Sequence, residues 1–370
     1  MPRSIEASPV LITLHGQSLQ AGTTPRAEQQ SKPLTILFGV PDDGKGVVSV
    51  SSDGRTLIAQ AGGQAHTFTL RGSANIASHL SPQRFALQRF YVQDDARLLG
   101  RIGPGPILNH IADPDICSEA LALVAKLADQ GRRPCFNHPI AVARTTRDGI
   151  ARLLDGIPGL TVPKTIRVRQ TSPAHVREAA KDAELRYPIL VRVVGSHGGE
   201  DRLRVEGPEA MDEITQLDHQ GSPLYLTEFC DFVSPDGRYR KFRIIVVGDD
   251  IFLRQCVVGE HWSLHGRSRV AGTEQEESAV FESFESEWVP LIKPVFSEMT
   301  RRIGLDYFGV DCHIDSNRNV LLFEANACMK VLKNYRALPN RFEAPIAKIK
   351  RALEDRLASP ETWRYARAGG

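Results

Sequence analysis

Tyr307-Phe308-Gly309-Val310-Asp311-Cys312-His313-Ile314, then Asp315-Ser316-Asn317-Arg318-Asn319, then Val320-Leu321-Leu322-Phe323-Glu324-Ala325-Asn326 follow one another without a break. Two apolar runs of strand length flank a cluster of Asp, Ser and Asn, the composition of a β-hairpin and its turn. A four-residue loop at 316–319 pairs Asp315 with Val320 and sets Asp311 opposite Glu324. Asn326, two residues beyond Glu324, shares its face. Two carboxylates and an amide oxygen then stand on one surface. Buried acids without partners are costly, and two together repel each other. A hard divalent cation such as Mg²⁺ answers both costs, taking its remaining ligands from water and substrate phosphates. A half-exposed hairpin with solvated acids has the same composition, so this stretch alone leaves both readings open.

Around the hairpin the composition is that of an ordinary soluble globular protein. The chain has 370 residues, 41% hydrophobic and 24% charged, enough for two or three domains. A net charge of +2 makes no case for nucleic acid or a membrane surface as partner. Cys117, Cys135, Cys230, Cys256, Cys312 and Cys328 are scattered with no Cys-x-x-Cys pair. That is neither a zinc pattern nor a disulfide framework, and it fits reduced thiols in the cytoplasm. No signal-peptide run follows Met1, and no stretch approaches the ~20 apolar residues of a membrane span.

In chain order, 1–33 reads as a mostly disordered arm with one apolar patch at 10–14. Short β-prone runs at 35–40, 46–50, 56–59 and 66–70 alternate with turn residues, and 90–92 and 105–109 suggest further strands. The segment 116–130 is a helix by its spacing of Leu121, Leu123, Val124 and Leu127. These make a small α/β unit over 34–138. Thr145-Thr146-Arg147-Asp148 is a helix start, Ser172-Pro173 another running to about 185, and 187–194 a buried strand. Further elements are a helix at 208–217, a strand at 224–229 and a hairpin of 240–247 with 250–257. A helix at 285–302, bent by Pro290 and Pro294, and a terminal helix at 340–357 complete the reading. The boundaries expected are 34–138, 139–225, 226–358 and a tail at 359–370.

Three further stretches carry chemistry. Arg192 ends a strand that runs into Gly195-Ser196-His197-Gly198-Gly199, where glycines let backbone N–H groups approach phosphate oxygens. No GK[ST] follows, so this is not a Walker A loop, and a plain glycine turn between strands has the same look. The strand 226–229 can offer its backbone to an adenine edge, with Glu228 or Asp236 as the acid on the ribose; a plain edge strand reads alike. Lys241 and Arg243 share one strand face, Arg254 lies on the paired strand and His261 follows, a basic lining suited to anions. A solvated charged face is the bland counterpart. No GxSxG elbow, HExxH or kinase motif set is present. His197 and His313 read as packing residues, and Cys328 as a small buried hydrophobe.

Taken in order, the terminal cation, glycine loop, hinge strand, basic hairpin, Gly309-Val310-Asp311 and Phe323-Glu324-Ala325-Asn326 resemble the ATP-grasp superfamily. The likeness is nearest its glutathione synthetase-like and ribosomal-protein-glutamate-ligase-like branch, over about 137–332. The resemblance implies an α+β fold in which two α+β lobes sandwich the nucleotide, preceded by a small α/β pre-ATP-grasp domain. It implies ATP and Mg²⁺ as cofactors, with Asp311, Glu324 and Asn326 holding the metal. Arg147 and Arg192 stand where the family usually has phosphate-binding lysines, which keeps charge and changes geometry. Gly198 and Gly199 fall in the loop that closes over the phosphates. Glu228 and Phe229 match the adenine hinge, Asp236 the ribose acid, and Arg243 the arginine facing the transferred phosphate or carboxylate, with Arg254 beside it.

The implied activity is an ADP-forming ligase joining a carboxylate to an amine through an acylphosphate. The expected substrate is an amino acid, peptide or small natural-product precursor, in a protein that can form a homodimer. Ala327-Cys328-Met329-Lys330 replaces the family's frequent Ser-Ser-Pro-Gly and leaves the acceptor open. A kinase on the same fold and a nucleotide-binding regulatory module without turnover are the alternatives.

Overall fold

The computed structural model of the chain describes residues 31–39, 41–42, 56–61, 64–69, 72–92, 105–196, 202–264, 268–336 and 338–366. The expected arm up to residue 30, the run 46–50 and the glycine positions Gly198 and Gly199 lie outside them.

β1 (Lys32–Gly39), β4 (Phe85–Val92), β5 (Ile107–Asn109) and β6 (Cys135–Phe136) form a parallel sheet in the order β4-β1-β5-β6. β2 (Thr56–Ala61) and β3 (Gln64–Thr69) make a separate hairpin. Parallel neighbours need crossovers, and α1 (Ser118–Gly131) supplies the one from β5 to β6, burying Leu121, Val124 and Leu127. Its first N–H groups are capped from a distance: Asp42 accepts from Ser118 N–H at 2.7 Å and Glu119 N–H at 3.1 Å.

After α2 (Pro139–Ala143), α3 (Arg147–Leu154) and β7 (Leu160–Thr161) comes a second, antiparallel sheet. It is built from β8 (Thr165–Val168), β9 (Ile189–Val193), β10 (Arg202–Val205) and β11 (Leu224–Glu228) in the order β10-β9-β11-β8. α4 (Pro173–Asp182) and the 3₁₀ stretch Pro208–Gln216, expected as an α-helix, pack on it. Val176, Ile189, Val191, Met211, Ile214 and Leu226 belong to a core of its own. β10 is too short for its Arg-Leu-Arg-Val alternation to be read from sequence. β11 pairs with β8 and β9, so the expected boundary at 225/226 cuts through a strand of this sheet.

The third sheet runs β13-β12-β14-β15-β7, from β12 (Tyr239–Val247), β13 (Asp250–Gly259), β14 (Tyr307–Ile314), β15 (Val320–Asn326) and β7. It is backed by α5 (Glu274–Ser283), α6 (Val289–Ile303) and α7 (Glu343–Leu357). A π turn, Phe284–Trp288, joins α5 to α6. The helix expected from 285 thus starts eleven residues earlier. α5 carries no apolar stripe to announce it; its buried side chain is Glu277, ion-paired with Arg269 and Arg341.

The hairpin of β14 and β15 reaches the expected facing by an unexpected route. Ile314, not Asp315, pairs with Val320. The turn spans 315–319 and is closed by Asp315 N–H to the Asn319 carbonyl at 3.0 Å, with Asp315 also accepting from Asn319 N–H at 2.8 Å. Continued, that register would set Asp311 opposite Phe323 and turn Glu324 away. A bulge at Phe323 takes up the extra residue, the register shifts between Asp311 and Cys312, and Asp311 faces Glu324.

The first and third sheets share one core. Asn137 joins them like a strand partner, donating to the Tyr307 carbonyl at 2.7 Å and accepting from Tyr307 N–H at 2.9 Å. Fully buried Asp306 is met by Arg356 at 3.1 Å and Arg364 N–H at 2.9 Å. The expected tail is packed in: Trp363, 3% exposed, lies edge-on to Phe136, and the Tyr365 carbonyl accepts from Cys135 N–H. The second sheet meets the first through a polar contact, where Asp115 accepts from Arg167 and, at 2.8 Å, from the Tyr225 hydroxyl.

Candidate active site between the second and third sheets

A cleft of about 720 Å³ opens between the small antiparallel sheet and the β12–β15 face, within the size range of small-molecule sites. Its floor is the hairpin. Asp311 and Glu324 are register partners, and the Asn326 amide lies 2.7 Å from Glu324 Oε1. Arg243 grips Asp311 bidentately, Nε to Oδ1 at 2.7 Å and Nη2 to Oδ2 at 2.9 Å, and Lys241 Nζ stands 3.0 Å from Oδ2. Phe242, between them, points into the core, as strand alternation requires. Burial alone would raise the Asp311 carboxyl, but Arg243 and Lys241 hold it well below the usual carboxylate range.

Glu324 is met by Arg147 at 2.8 Å. Arg147 sits in the first turn of α3, whose Thr146 hydroxyl accepts from Gly149 N–H at 3.1 Å, the cap that Thr-Thr-Arg-Asp announces.

The roof is also cationic. Arg192 on β9 and Arg202 on β10 are register partners and both line the cleft. Like charges directly opposite one another on a sheet are destabilising, a cost that an anion in the cleft would offset. Arg202 also reaches across the cleft, stacking over the Trp262 ring at 4.8 Å and donating to Ser263. Phe229 lies edge-on to Trp262 at 5.4 Å beneath Arg204.

No protein-family model matches the chain, and no curated protein matches it in sequence. Solved structures do match. D-alanine–D-alanine ligase from Bacillus anthracis aligns with a TM-score of 0.51 at 9% identity, over 90% of this chain and 100% of its own. The fold is the ATP-grasp fold. Two other matches are VanG D-Ala:D-Ser ligase from Enterococcus faecalis (TM-score 0.48, 11% identity, 89% and 98% coverage) and a RimK domain ATP-grasp protein from Sphaerobacter thermophilus (0.42, 13%, 88% and 98%). At such identities the likeness speaks for architecture alone.

Within the cleft, Arg147, Arg192, Arg243, Glu228, Phe229, Asp311, Glu324 and Asn326 come together. Two expected residues do not. Asp236 is outside the cleft, clamped by Arg240 at 2.9 and 2.7 Å; the Val233–Tyr239 bridge folds its turn outward. Arg254 is the bulge residue of β13, since Arg243 pairs with Gln255 and Ile244 with Leu253. The bulge re-aims it toward the carbonyls of Val331 at 2.7 Å and Lys333 at 3.1 Å.

The hinge differs in detail. Glu228 is buried, and its carboxylate takes the Arg186 N–H at 3.0 Å and guanidinium at 2.8 Å. The N–H groups of Glu228 and Phe229 are spent on the carbonyls of Lys164 and Pro188, so Phe229 meets the cleft through its ring. His313 packs as expected, its Nδ1 2.9 Å from the Arg240 carbonyl.

Lys241, Arg202, Tyr225 and Trp262 also line the cleft. Lys241 was legible from its shared face with Arg243; Arg202 and Trp262 come from a short strand and a loop that sequence pattern does not orient.

Among the described residues no three His, Cys, Asp or Glu side chains form a metal cluster. The donors facing the cleft are the Asp311 and Glu324 carboxylates, hard oxygen donors of the kind that suit Mg²⁺, while Asn326 turns its Nδ2 to Glu324 and its Oδ1 to the Cys328 N–H at 3.0 Å. Their charge is balanced by Arg147, Lys241 and Arg243.

Proposed function

We propose that this chain is an ATP-dependent, ADP-forming ligase that joins a carboxylate to an amine through an acylphosphate. The observation that carries the reading is charge: Arg147, Arg192, Arg202, Lys241 and Arg243 converge on one cleft above an acid pair. Phosphoryl transfer to a carboxylate brings anions together, and catalysis consists mostly of positioning them and neutralising their charge.

In this reading Arg192 and Arg202 hold the nucleotide phosphates, with Phe229 and Trp262 walling the base end. Arg243 orients the substrate carboxylate by the planar, two-point contact that it now makes with Asp311. Asp311, Glu324 and Asn326 would hold Mg²⁺, which supplies charge neutralisation on the phosphates. The carboxylate oxygen attacks the γ-phosphorus, and the bond to the β-phosphate oxygen breaks to release ADP. The amine nitrogen then attacks the acyl carbon, phosphate leaves with the C–O electron pair, and the nitrogen loses a proton. Arg147 and Arg243 stabilise the oxygens on which charge builds. The proposed organisation is a pre-ATP-grasp unit, 34–138, and two lobes meeting just after Glu228.

The test is a screen of amino acids and dipeptides for stimulated ADP release, following the γ-phosphate by ³¹P NMR. Free phosphate stoichiometric with ADP, together with a condensed product, is expected. A stable phosphate ester without condensation would replace the ligase with a kinase, and nucleotide binding without ADP release under any carboxylate would leave a regulatory module.

A further inference from the structure

The sixteen residues after Asn326, 327–342, contain Lys330, Lys333, Arg336 and Arg341 and no acid. Two guanidiniums from elsewhere, Arg254 and Arg269, join them. Four of these arginines crowd one ring: Arg254, Arg269, Arg336 and Arg341 stand 5.4, 5.6, 5.5 and 5.1 Å from the centre of buried Phe342. Glu277, buried within α5, pairs with Arg269 and Arg341. Glu343 adds a second carboxylate, accepting from the Asn340 N–H at 3.1 Å, and the cations still outnumber the acids, a field that favours an anionic partner.

The segment is held in place. Arg254 binds the carbonyls of Val331 and Lys333, and Asn334 Nδ2 donates to Asn340 Oδ1 at 3.1 Å, closing the loop. Between the charges Tyr335 and Leu338 are 64% and 65% exposed. Arg254 and Arg269 stand outside the cleft, but their chain neighbours Gln255 and Ser268 are in its wall. Its cations are strung along twelve residues, 330–341, with aromatic and aliphatic side chains interleaved. One small anion would use a fraction of that surface, whereas an acidic peptide with an apolar side chain would use both kinds of contact.

We infer that 330–342 is a docking platform for an acidic peptide, which extends from it into the cleft as a substrate. The substrate role, unlike the docking itself, rests on the ligase reading. The probe is a fluorescein-labelled octapeptide of aspartates with one leucine and one tyrosine, read by anisotropy at low and high salt. Its lysine counterpart and a single-stranded RNA oligonucleotide are the controls.

Binding that weakens with salt, and falls at least about tenfold in Lys333→Glu/Arg336→Glu while ATP affinity is unchanged, is expected. Equal binding by that variant, no binding at all, or tighter binding of RNA would overturn the platform. Peptide binding lost in the variant, in a protein that releases ADP with no carboxylate, would keep the platform and sink the ligase reading. ADP release with neutral amino acids and no peptide binding would do the reverse.

Discussion

Asp311 and Glu324 combine burial with charge and face one cleft, and that combination sets what substitution should do. Asp311→Asn and Glu324→Gln keep shape and one acceptor oxygen. Each should cut ADP release by at least about 100-fold while costing only about 1–3 kcal/mol of stability. Undiminished turnover in either variant, with a normal thermal midpoint, would remove the acid pair from the chemistry.

His110 makes a different kind of claim. It is buried, and its Nε2 accepts from the N–H groups of Ile76 at 3.0 Å and Ala77 at 3.1 Å, so the ring is neutral. Burial, then the charge of Arg89, push its pKa from 6.5 down to about 3. The folded value lies below the unfolded one, so its contribution is complete above about pH 6.5. It is lost as pH falls toward 3, by roughly 1.4 kcal/mol per unit. His110→Gln should therefore show a flatter urea midpoint than the parent between about pH 6 and 4; parallel curves would exclude this assignment.

At the scale of elements, the Arg192–Arg202 pairing of β9 with β10 yields a prediction of mixed sign. On the proposed reading Arg192→Ala removes a phosphate contact worth about 1.5–3 kcal/mol, so ATP affinity should fall roughly tenfold to a hundredfold. The same change relieves repulsion across the strand pair, and the thermal midpoint of the nucleotide-free protein should hold or rise. Arg192→Lys should keep part of the affinity. Calorimetric titration and thermal melts read both, and unchanged affinity in the Ala variant would place the nucleotide elsewhere.

Elements were legible where pattern and function coincide. The facing of Asp311 and Glu324 was readable although the turn was miscounted, because the bulge at Phe323 restores what the longer turn displaces. Arg254 was misplaced for the related reason that a bulge has no sequence signature; strand alternation cannot tell which residue is the extra one. α5 was missed because its buried side chain is an ion-paired glutamate, invisible to any hydrophobic period. Charged cleft residues on β9, β11, β12, β14 and β15 were legible, whereas Arg202 on a short strand and the Trp262 ring in a loop were not.

Across the whole molecule the cores divide unequally. The first and third sheets are fused through Asn137, Asp306 and the segment around Trp363, while the second sheet packs on itself. Opening of the second sheet should therefore cost less free energy than opening of the rest. Native-state hydrogen exchange should show β8–β11 amides exchanging through a lower-energy opening than β12 and β14, and ATP should raise their protection selectively. One common opening energy for all three sheets would contradict the division.

That division also bears on inheritance and recombination. A lobe with a private core can be exchanged between relatives as a cassette, since few side chains must agree across its border. Here the border terms include Asp115 meeting Arg167 and Tyr225, and Arg202 meeting Trp262 and Ser263. The first unit has no such freedom, because a transplanted version would need to bring its own Asn137, its own answer to Asp306 and its own seat for Trp363. Chimeras with the 165–228 lobe exchanged should fold far more often than chimeras cut near 138.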